Sequence, residues 1–485
     1  MRRQNKNKNK NSKLKLFNLL FLMITVISFI VVVGLMHSHH FLNFYHLNLL
    51  YTIIGISILV VSLSCIILNK LKVLTTVILF IQLFVVCITL LFFKSTIDVA
   101  KELNKNAKYS DIEMSVVVYK DSKIDNINKI SNVLAPLEND KLNIESFLEN
   151  IKSTKKITFS TENVVSYQKA LETIKNDDTK AMILNSAYSS LIESIDGNFK
   201  KEIKTLYKYK IKKKSSLSHD SKKIDKYSFN IYISGIDTYG DISSVSRSDV
   251  NIIMTVNMKS HKILLTSTPR DSYVKIPDGG GNQYDKLTHA GIYGVETSMK
   301  TLSDLYKINI DYYTRVNFTS FLKLIDLLGG IEIYNDKEFI ASENNYKFPI
   351  GTLSLDSEHA LLFVRERYSL SGGDNDRGKN QEKVISAIIN KIANVESLTK
   401  LPQIVDNFKD SVQTNISIDN LNNLINQQLV SNQHFVVDSQ SIDGVGSIGE
   451  LTSYAMPSSN LYMVSLNQTS LEKARTNINN LLEGK

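Results

Sequence analysis

The chain has 485 residues, 43% of them hydrophobic and 22% charged, with 20 Gly, 6 Pro, two Cys and no Trp. It is too long for one ordinary domain, too poor in Gly and Pro for a disordered or collagen-like chain, and too poor in Cys for a disulfide scaffold or a multi-Cys zinc protein. The net charge of +9 invites a nucleic-acid reading, but the location of that charge removes most of the invitation.

Residues 1–15, MRRQNKNKNKNSKLK, carry seven Lys/Arg and no acid. Residues 16–93 contain only two charged side chains, Lys70 and Lys72. These nine account for the whole net charge, so residues 94–485 are neutral overall. Three apolar runs fill the uncharged stretch, roughly Leu16–Met36, Leu47–Leu68 and Val73–Phe93. A bilayer core of about 30 Å takes about 20 helical residues, and each run supplies them. The first run is long and lacks a small-x-small site, so a cleaved signal peptide is disfavoured. Lys/Arg bias places the basic tail and the Lys70/Lys72 loop in the cytoplasm. The loop 37–46 then lies outside, as does everything from residue 94 onward. Its four His (37, 39, 40 and 46) read as an interfacial turn before they read as a metal site. Cys65 and Cys87 fall within spans, which leaves the exported part free of Cys.

Residues 94–111 read as a polar stalk and 112–212 as a small α/β accessory domain. SVVVY (115–119) and AMILN (181–185) are strand-like. NIESFLENIKS (143–153) and VVSYQKALETIKN (164–176) have helical spacing. No catalytic constellation appears here, so a partner-binding module is expected. The Lys/Ser-rich stretch 208–226 reads as a solvated tether, with 213–226 as the linker proper. From 227 to 485 strands alternate with helices. FNIYISGID, DVNIIMTVN and KILLTSTPR are strand runs; TSMKTLSDLYKI, VNFTSFLKLIDLLGG and KNQEKVISAIINKIANV read as helices. HFVVD, LYMVSL and a helix over 470–483 follow. The pattern predicts an α/β sandwich with a central sheet.

GxxxxGK[ST], HExxH, GxSxG and CxxC are all absent. Charged residues at the ends of apolar runs stand out instead. Asp237 ends the first strand run, and Arg247 and Asp249 stand two apart before the next. Arg270 and Asp271 end the third. ALLFVRERYS reads as a fourth strand-like run, with Arg365 and Arg367 on one face. The loop SLSGGDNDRGKNQ supplies Asp374, Asp376, Arg377 and Gln381. Arginine's planar fork suits phosphate oxygens, and paired carboxylates suit Mg²⁺, so the set points to phosphoryl transfer. Each pair taken singly also reads as a surface salt bridge. VNFTSFLKLIDLLGG is apolar on most of its circumference. It reads first as a buried helix, and second as the wall of a hydrocarbon pocket formed by Phe318, Phe321, Leu322, Ile325 and Leu328.

GIDTYGDISSVSRSDVNIIMTVN, TSTPRDSYVKIP, DKLTHAGIYGV, NFTSFLKLIDLLGGIEIYN and FVRERYSLSGGDNDRGKNQEKV together resemble the LytR–CpsA–Psr family, strongly over about 227–395. Three N-terminal spans and an accessory domain are similar to its capsule-locus branch. The resemblance implies an extracellular phosphotransferase. It would move a capsular polysaccharide or teichoic acid from undecaprenyl pyrophosphate to a peptidoglycan hydroxyl, with Mg²⁺ as cofactor. It implies Asp237 and Asp249 as metal-associated carboxylates. It implies Arg247, Arg270, Arg365, Arg367 and Arg377 as pyrophosphate-binding arginines, with Gln381 on the following helix and Asp374 in the same loop. Arg365 and Arg367 are the two whose loss is expected to abolish transfer. Capsule-synthesis membrane proteins are expected neighbours, and nucleic acid is not expected as a partner. The competing reading is a membrane-anchored regulator of capsule expression or chain length that binds lipid-linked polymer without catalysis.

Overall fold

The computed structural model describes residues 2–214, 227–236, 242–392, 412–431 and 433–485. The described residues form two units, the first comprising residues up to Glu102 together with Ser417–Gln433. In the first unit α1 (Arg2–Ser38), α2 (Leu47–Ile67) and α3 (Lys72–Lys108) contain apolar stretches at Lys13–Ser38, Phe44–Ile67 and Lys72–Asp98. Each is long and apolar enough to cross a membrane. Large apolar side chains such as Leu20, Ile27, Phe80 and Leu91 face outward, as they do against lipid. Two polar side chains within the bundle find backbone partners there. The Asn18 amide donates to Lys72 O at 2.9 Å, and the Gln82 amide to Gly55 O at 3.1 Å. The helix Ile418–Ser431 belongs to this unit and lies against the turn after α1. Asn422 and Asn426 donate to the His39 and His40 carbonyls, each at 2.8 Å, and His39 Nδ1 meets Asp419 Oδ1 at 2.8 Å.

The second unit begins with a five-stranded lobe built from β1 (Tyr109–Tyr119), β2 (Asn132–Ala135), α4 (Leu137–Lys155), β3 (Ser160–Asn163), α5 (Tyr167–Asn176), β4 (Ala181–Asn185), α6 (Ser189–Glu193), α7 (Phe199–Glu202) and β5 (Ile203–Lys214). The strand order is β3-β2-β4-β1-β5. Two boundaries differ from the sequence reading. Helix α3 runs through the expected stalk to Lys108, and the Lys/Ser-rich stretch is strand β5 as far as Lys214. Tyr207, Tyr209 and Ile211 alternate with lysines there, and period 2 lets the strand pair with β1 while its lysines stay in water. Residues 215–226 lie outside the described residues. The lobe's core, with Val116, Phe147, Ile174 and Ile183, continues into Val245, Ile292, Ala455 and Met456. Accessory and C-terminal lobes therefore share one apolar interior.

The C-terminal lobe carries β6 (Ser228–Ile236), β7 (Val250–Asn257), β8 (Lys262–Ser267), β9 (Tyr273–Ile276), β10 (Gln283–Lys286), α8 (Val295–Tyr306), β11 (Tyr312–Asn317), α9 (Phe318–Leu327), β12 (Ile331–Asn335), β13 (Phe339–Ile340), β14 (Lys347–Phe348), β15 (Gly351–Leu355), α10 (Ser357–Arg365), α11 (Asp374–Ile392), β16 (Val412–Thr414) and β17 (Val436–Ser441). A hairpin of Gly444–Ile448 with Tyr462–Leu466 and a helix Gln468–Glu483 complete it. The central sheet has the order β16-β11-β6-β7-β8-β17. One face, through Tyr232, Ile253 and Leu264, packs on α8 and the helix Gln468–Glu483. By alternation the opposite face of the central strands is aliphatic, with Ile231, Ile233, Ile252, Met254, Val256, Ile263 and Leu265. Ile233 and Met254 lie on central strands yet are only half-buried, so this face is not fully covered. The sandwich with a central sheet is the architecture expected.

One element is corrected. ALLFVR is not a strand but the end of α10. The Asp356 carboxylate caps that helix by accepting from His359 N–H at 2.8 Å, and Ser357, Ala360, Leu361 and Phe363 are buried at helical spacing. Arg365 ends the helix and Arg367 lies in the turn beyond it, so the two do not share a strand face.

Candidate active site

The strand ends of β7 and β8 bring the first charged residues together. Asp249 N–H donates to Gly235 O at 2.8 Å, and Thr268 N–H to Asn251 O at 3.0 Å, which fixes the two exits side by side. Arg270 Nη1 then meets Asp249 Oδ1 at 3.0 Å, and Thr288 Oγ1 donates to the same oxygen at 3.0 Å. Burial works against the Asp249 charge, but Arg270, Arg247 and Arg377 outweigh it and hold its carboxyl well below the usual range. Burial likewise opposes the Arg270 charge, and Asp249, Asp271 and Asp374 outweigh it.

Helix α11 delivers the second group over the same strand ends. The Asp374 carboxylate accepts from Arg270 N–H at 3.2 Å and pairs with Arg377 one turn on. Gly378 permits this close crossing: a Cβ there would stand 2.9 Å from Ser267 Oγ. Gln381 donates to Val364 O at 3.3 Å. Asp249, Arg270, Asp374, Arg377 and Gln381 thus line one small cavity, together with Ser267 and Thr268. Arg247 acts on Asp249 through its charge, and its Nε is buried without a hydrogen-bond partner among the described residues. Arg367 approaches Asp271 at 3.9 Å. Arg365 pairs instead with Glu343 at 2.9 Å, its guanidinium 4.6 Å from the centre of the Phe318 ring. Asp237 lies outside the described residues.

Three residues at the site have no assigned binding or catalytic role in the sequence reading, where Asp271 is only a charge that ends the third strand run. Asp271 is buried, and Lys286 pairs with it at 2.5 Å. Burial opposes the Asp271 charge, and Lys286 and Arg270 outweigh it, so its pKa is lowered. Thr288 is the third. The signal was the DKLTHA segment, whose polar residues sit in an otherwise buried turn.

Of the five apolar residues on α9 and its C-cap, Phe318, Phe321 and Leu322 are half-buried. Ile325 is fully buried in the core formed with Ile331, Phe348, Phe363 and Val384, and Leu328 is buried as well. For a divalent cation, Asp249 offers an ionised carboxylate with Oδ1 already engaged by Arg270 and Thr288. Among the described residues no group of three or more His, Cys, Asp or Glu is gathered for a metal. Among the described residues Asp249 is the carboxylate that would suit a Mg²⁺ ion completing its shell with phosphate oxygens and water.

The sequence profile of the LytR_cpsA_psr family matches residues 193–479, and this chain belongs to that family. A second profile, described as DNA polymerase processivity factor, matches residues 69–184, a stretch that begins just before the third membrane-length helix. Among curated relatives, the polyisoprenyl-teichoic acid–peptidoglycan teichoic acid transferase TagU of Oceanobacillus iheyensis is 33% identical over 251 residues, 50% of this chain and 71% of that protein. TagT of Bacillus subtilis, with the same descriptive name, is 32% identical over 265 residues, 53% of this chain and 77% of that protein. The crystal structure of B. subtilis TagV is 27% identical, with 54% of this chain and 99% of that one covered at a TM-score of 0.45.

Proposed function

We propose that this protein is a membrane-held glycopolymer ligase. It transfers the glycan phosphate of a teichoic acid or capsular polysaccharide from undecaprenyl pyrophosphate to a peptidoglycan hydroxyl. The observation that carries this reading is the charge at the strand ends. Arg247, Arg270, Arg367, Arg377 and Lys286 face Asp249, Asp271 and Asp374. The cations outnumber these carboxylates by two, and a pyrophosphate diester carries two negative charges. The relatives' names support the same donor and acceptor. The incompletely covered aliphatic sheet face, with half-buried Ile233 and Met254, supports a lipid-bearing donor, and Phe318, Phe321 and Leu322 extend the apolar surface. Ile325 and Leu328 serve the core first.

The hydroxyl oxygen attacks the phosphorus that carries the glycan. A new O–P bond forms, and the bond from that phosphorus to the bridging oxygen breaks. Undecaprenyl phosphate leaves with the electron pair, and the hydroxyl proton passes to solvent. Arg270 and Arg377 are fixed in advance by Asp249 and Asp374, so they stabilise developing charge without reorganising. Lowered pKa values make Asp249 and Asp271 weaker bases than an ordinary carboxylate. Mg²⁺, held by Asp249 and by Asp237, would add charge neutralisation at the pyrophosphate. The basic tail and the Lys70/Lys72 loop support an N-terminus in the cytoplasm and C-terminal lobes outside.

The test is the full chain in detergent with a lipid-pyrophosphate-linked glycan, a peptidoglycan oligomer and Mg²⁺. Covalent glycan–peptidoglycan product is followed by mass, with Arg270→Ala beside the wild type. Product that disappears in the variant supports the ligase. A wild type that binds the lipid tightly yet makes no product overturns it.

A further inference from the structure

The residues that complete the site are held by a buried pin, Asp285 with His289, that is not itself among the phosphate-binding residues. The segment Asp285–Gly291 stitches the two charged strand exits together. Thr288 N–H donates to Arg270 O at 2.9 Å, Ser248 N–H to Thr288 O at 3.1 Å, and Leu287 N–H to Ser272 O at 2.8 Å. Its side chains reach into the site, Thr288 to Asp249 and Lys286 to Asp271. Its own position is set by Asp285. Oδ1 of that residue accepts from His289 Nδ1 at 2.8 Å, Ser453 Oγ at 2.7 Å and Lys286 N–H at 2.7 Å, and Oδ2 accepts from Ala455 N–H at 2.8 Å. Asp285, His289 and Ser453 are all buried.

A Ser, a His and an Asp together suggest a hydrolytic triad, but the connectivity excludes one. Ser453 donates to the carboxylate rather than to the imidazole, and its oxygen also accepts from Met456 N–H at 3.1 Å. No water or substrate reaches a serine that is 0% exposed. An ionised carboxylate only accepts, so His289 Nδ1 carries the hydrogen, and the group acts as a fixed brace. The far end of the brace rests on the accessory lobe. Asn139 Nδ2 donates to Tyr454 O at 3.1 Å, and Ser459 Oγ to Gln168 Oε1 at 2.5 Å.

We infer that Asp285 and His289 are positioning residues of the transfer site. They hold Lys286 and Thr288, and through them the Asp249–Arg270 and Asp271 charges, in register with the accessory lobe. This rests on the ligase reading. Supporting shells of this kind matter because a misplacement of about 1 Å costs up to about 100-fold in rate.

The test compares wild type, His289→Ala, His289→Asn and Ser453→Ala as full chains in the transfer assay. The Asn amide nitrogen can reach the place of Nδ1 and donate to Asp285. For His289→Ala we expect kcat to fall about ten-fold or more, with KM for the lipid-linked donor changed by less than about two-fold. His289→Asn restores kcat to within about three-fold, and Ser453→Ala, which leaves three of the four donors in place, gives a smaller loss. Folded His289→Ala with wild-type kcat overturns the inference, as does an Asn variant no better than Ala. Should His289→Ala fail to fold, Ser453→Ala decides by the same kcat reading. An inactive wild type sinks the ligase reading and this one with it; an active wild type with unaffected variants sinks this one alone.

Discussion

Arg270 is bound to Asp249 twice over, by the 3.0 Å ion pair and by Thr288, which shares the same carboxylate oxygen while its backbone N–H holds Arg270 O. The guanidinium is therefore aimed before any substrate arrives. Arg270→Ala should lower transfer by about 10²–10³-fold, as loss of a preorganised charge donor does elsewhere. Arg270→Lys should recover little, because a point charge cannot reproduce the planar fork. Product formation by mass and a melting curve for each variant check both statements.

Asp249→Asn separates charge from shape. The amide keeps the volume but leaves Arg270, Arg247 and Arg377 without their carboxylate, and breaking a buried pair costs about 3–5 kcal/mol. The variant should melt lower and transfer poorly. If Asp249 also holds Mg²⁺, EDTA should stop the wild type, added Mg²⁺ should restore it, and Asp249→Asn should need far more of the ion. Activity in EDTA equal to that in Mg²⁺ would remove the metal from the proposal.

The elements were largely legible, and so was the part of the site that lies at strand ends. Asp249 and Arg270 stand at the ends of apolar runs and Arg377 in the stretch that reads as a Gly-rich loop before a helix, and a charge held at the edge of a buried run needs a partner. The misread element was ALLFVR. An apolar run of this length fits a buried helix as well as a strand, and the deciding signal was the cap at Asp356, seven residues before Phe363. Lys286 and Thr288 were not legible for a different reason. They reach Asp271 and Asp249 from a short turn without apolar periodicity, and the closure is non-local. Strand β5 was hidden by its lysines, because alternation with Tyr and Ile becomes visible only once a pairing partner is known.

Arg365 and Arg367 should part company. Arg367 approaches buried Asp271, whereas Arg365 is engaged by exposed Glu343 and lies over Phe318. Arg367→Ala should lower kcat. Arg365→Ala should act mainly on KM for a lipid-linked donor, if the Phe318 ring meets the lipid. The check is a kcat and KM split for both variants with donors of long and short lipid chains.

Gly291 is where the Asp285–Gly291 segment passes the backbone of Arg247. A Cβ there would stand 2.5 Å from Ser246 O and 2.6 Å from Ser248 N, and neither atom can swing away as a side chain does. Gly291→Ala should cost about 1–3 kcal/mol and displace Arg247, so that activity per folded molecule falls as well as melting temperature.

Glu382, one turn beyond Gly378 on α11, gives a pH test of the same packing. Burial pushes its carboxyl up to about 8, against the smaller opposing effects of Ser439 and Lys379. The unfolded chain ionises this group near its ordinary value, whereas the folded chain keeps it protonated until pH approaches 8. The folded state therefore binds the extra proton, and stability falls as pH rises from about 4.5 to about 8. The loss is on the order of 3 kcal/mol at pH 7. Glu382→Gln cannot ionise in either state, so its melting temperature relative to wild type should rise between pH 5 and pH 8. A difference that stays flat across that range would mean Glu382 is charged in the folded protein.

The helix Ile418–Ser431 supplies a topological test. Asn422 and Asn426 satisfy the His39 and His40 carbonyls just past the end of α1, where no intrahelical donor remains. The turn between the first two spans and this helix must then lie on one side of the membrane. In a chain with Cys65 and Cys87 replaced by Ala, His39→Cys with Asp419→Cys should form an intrachain crosslink on mild oxidation. The same cysteines, introduced singly, should react with a membrane-impermeant maleimide added to intact cells. Labelling that appears only after the cells are opened would place the turn in the cytoplasm and reverse the orientation drawn from the basic tail.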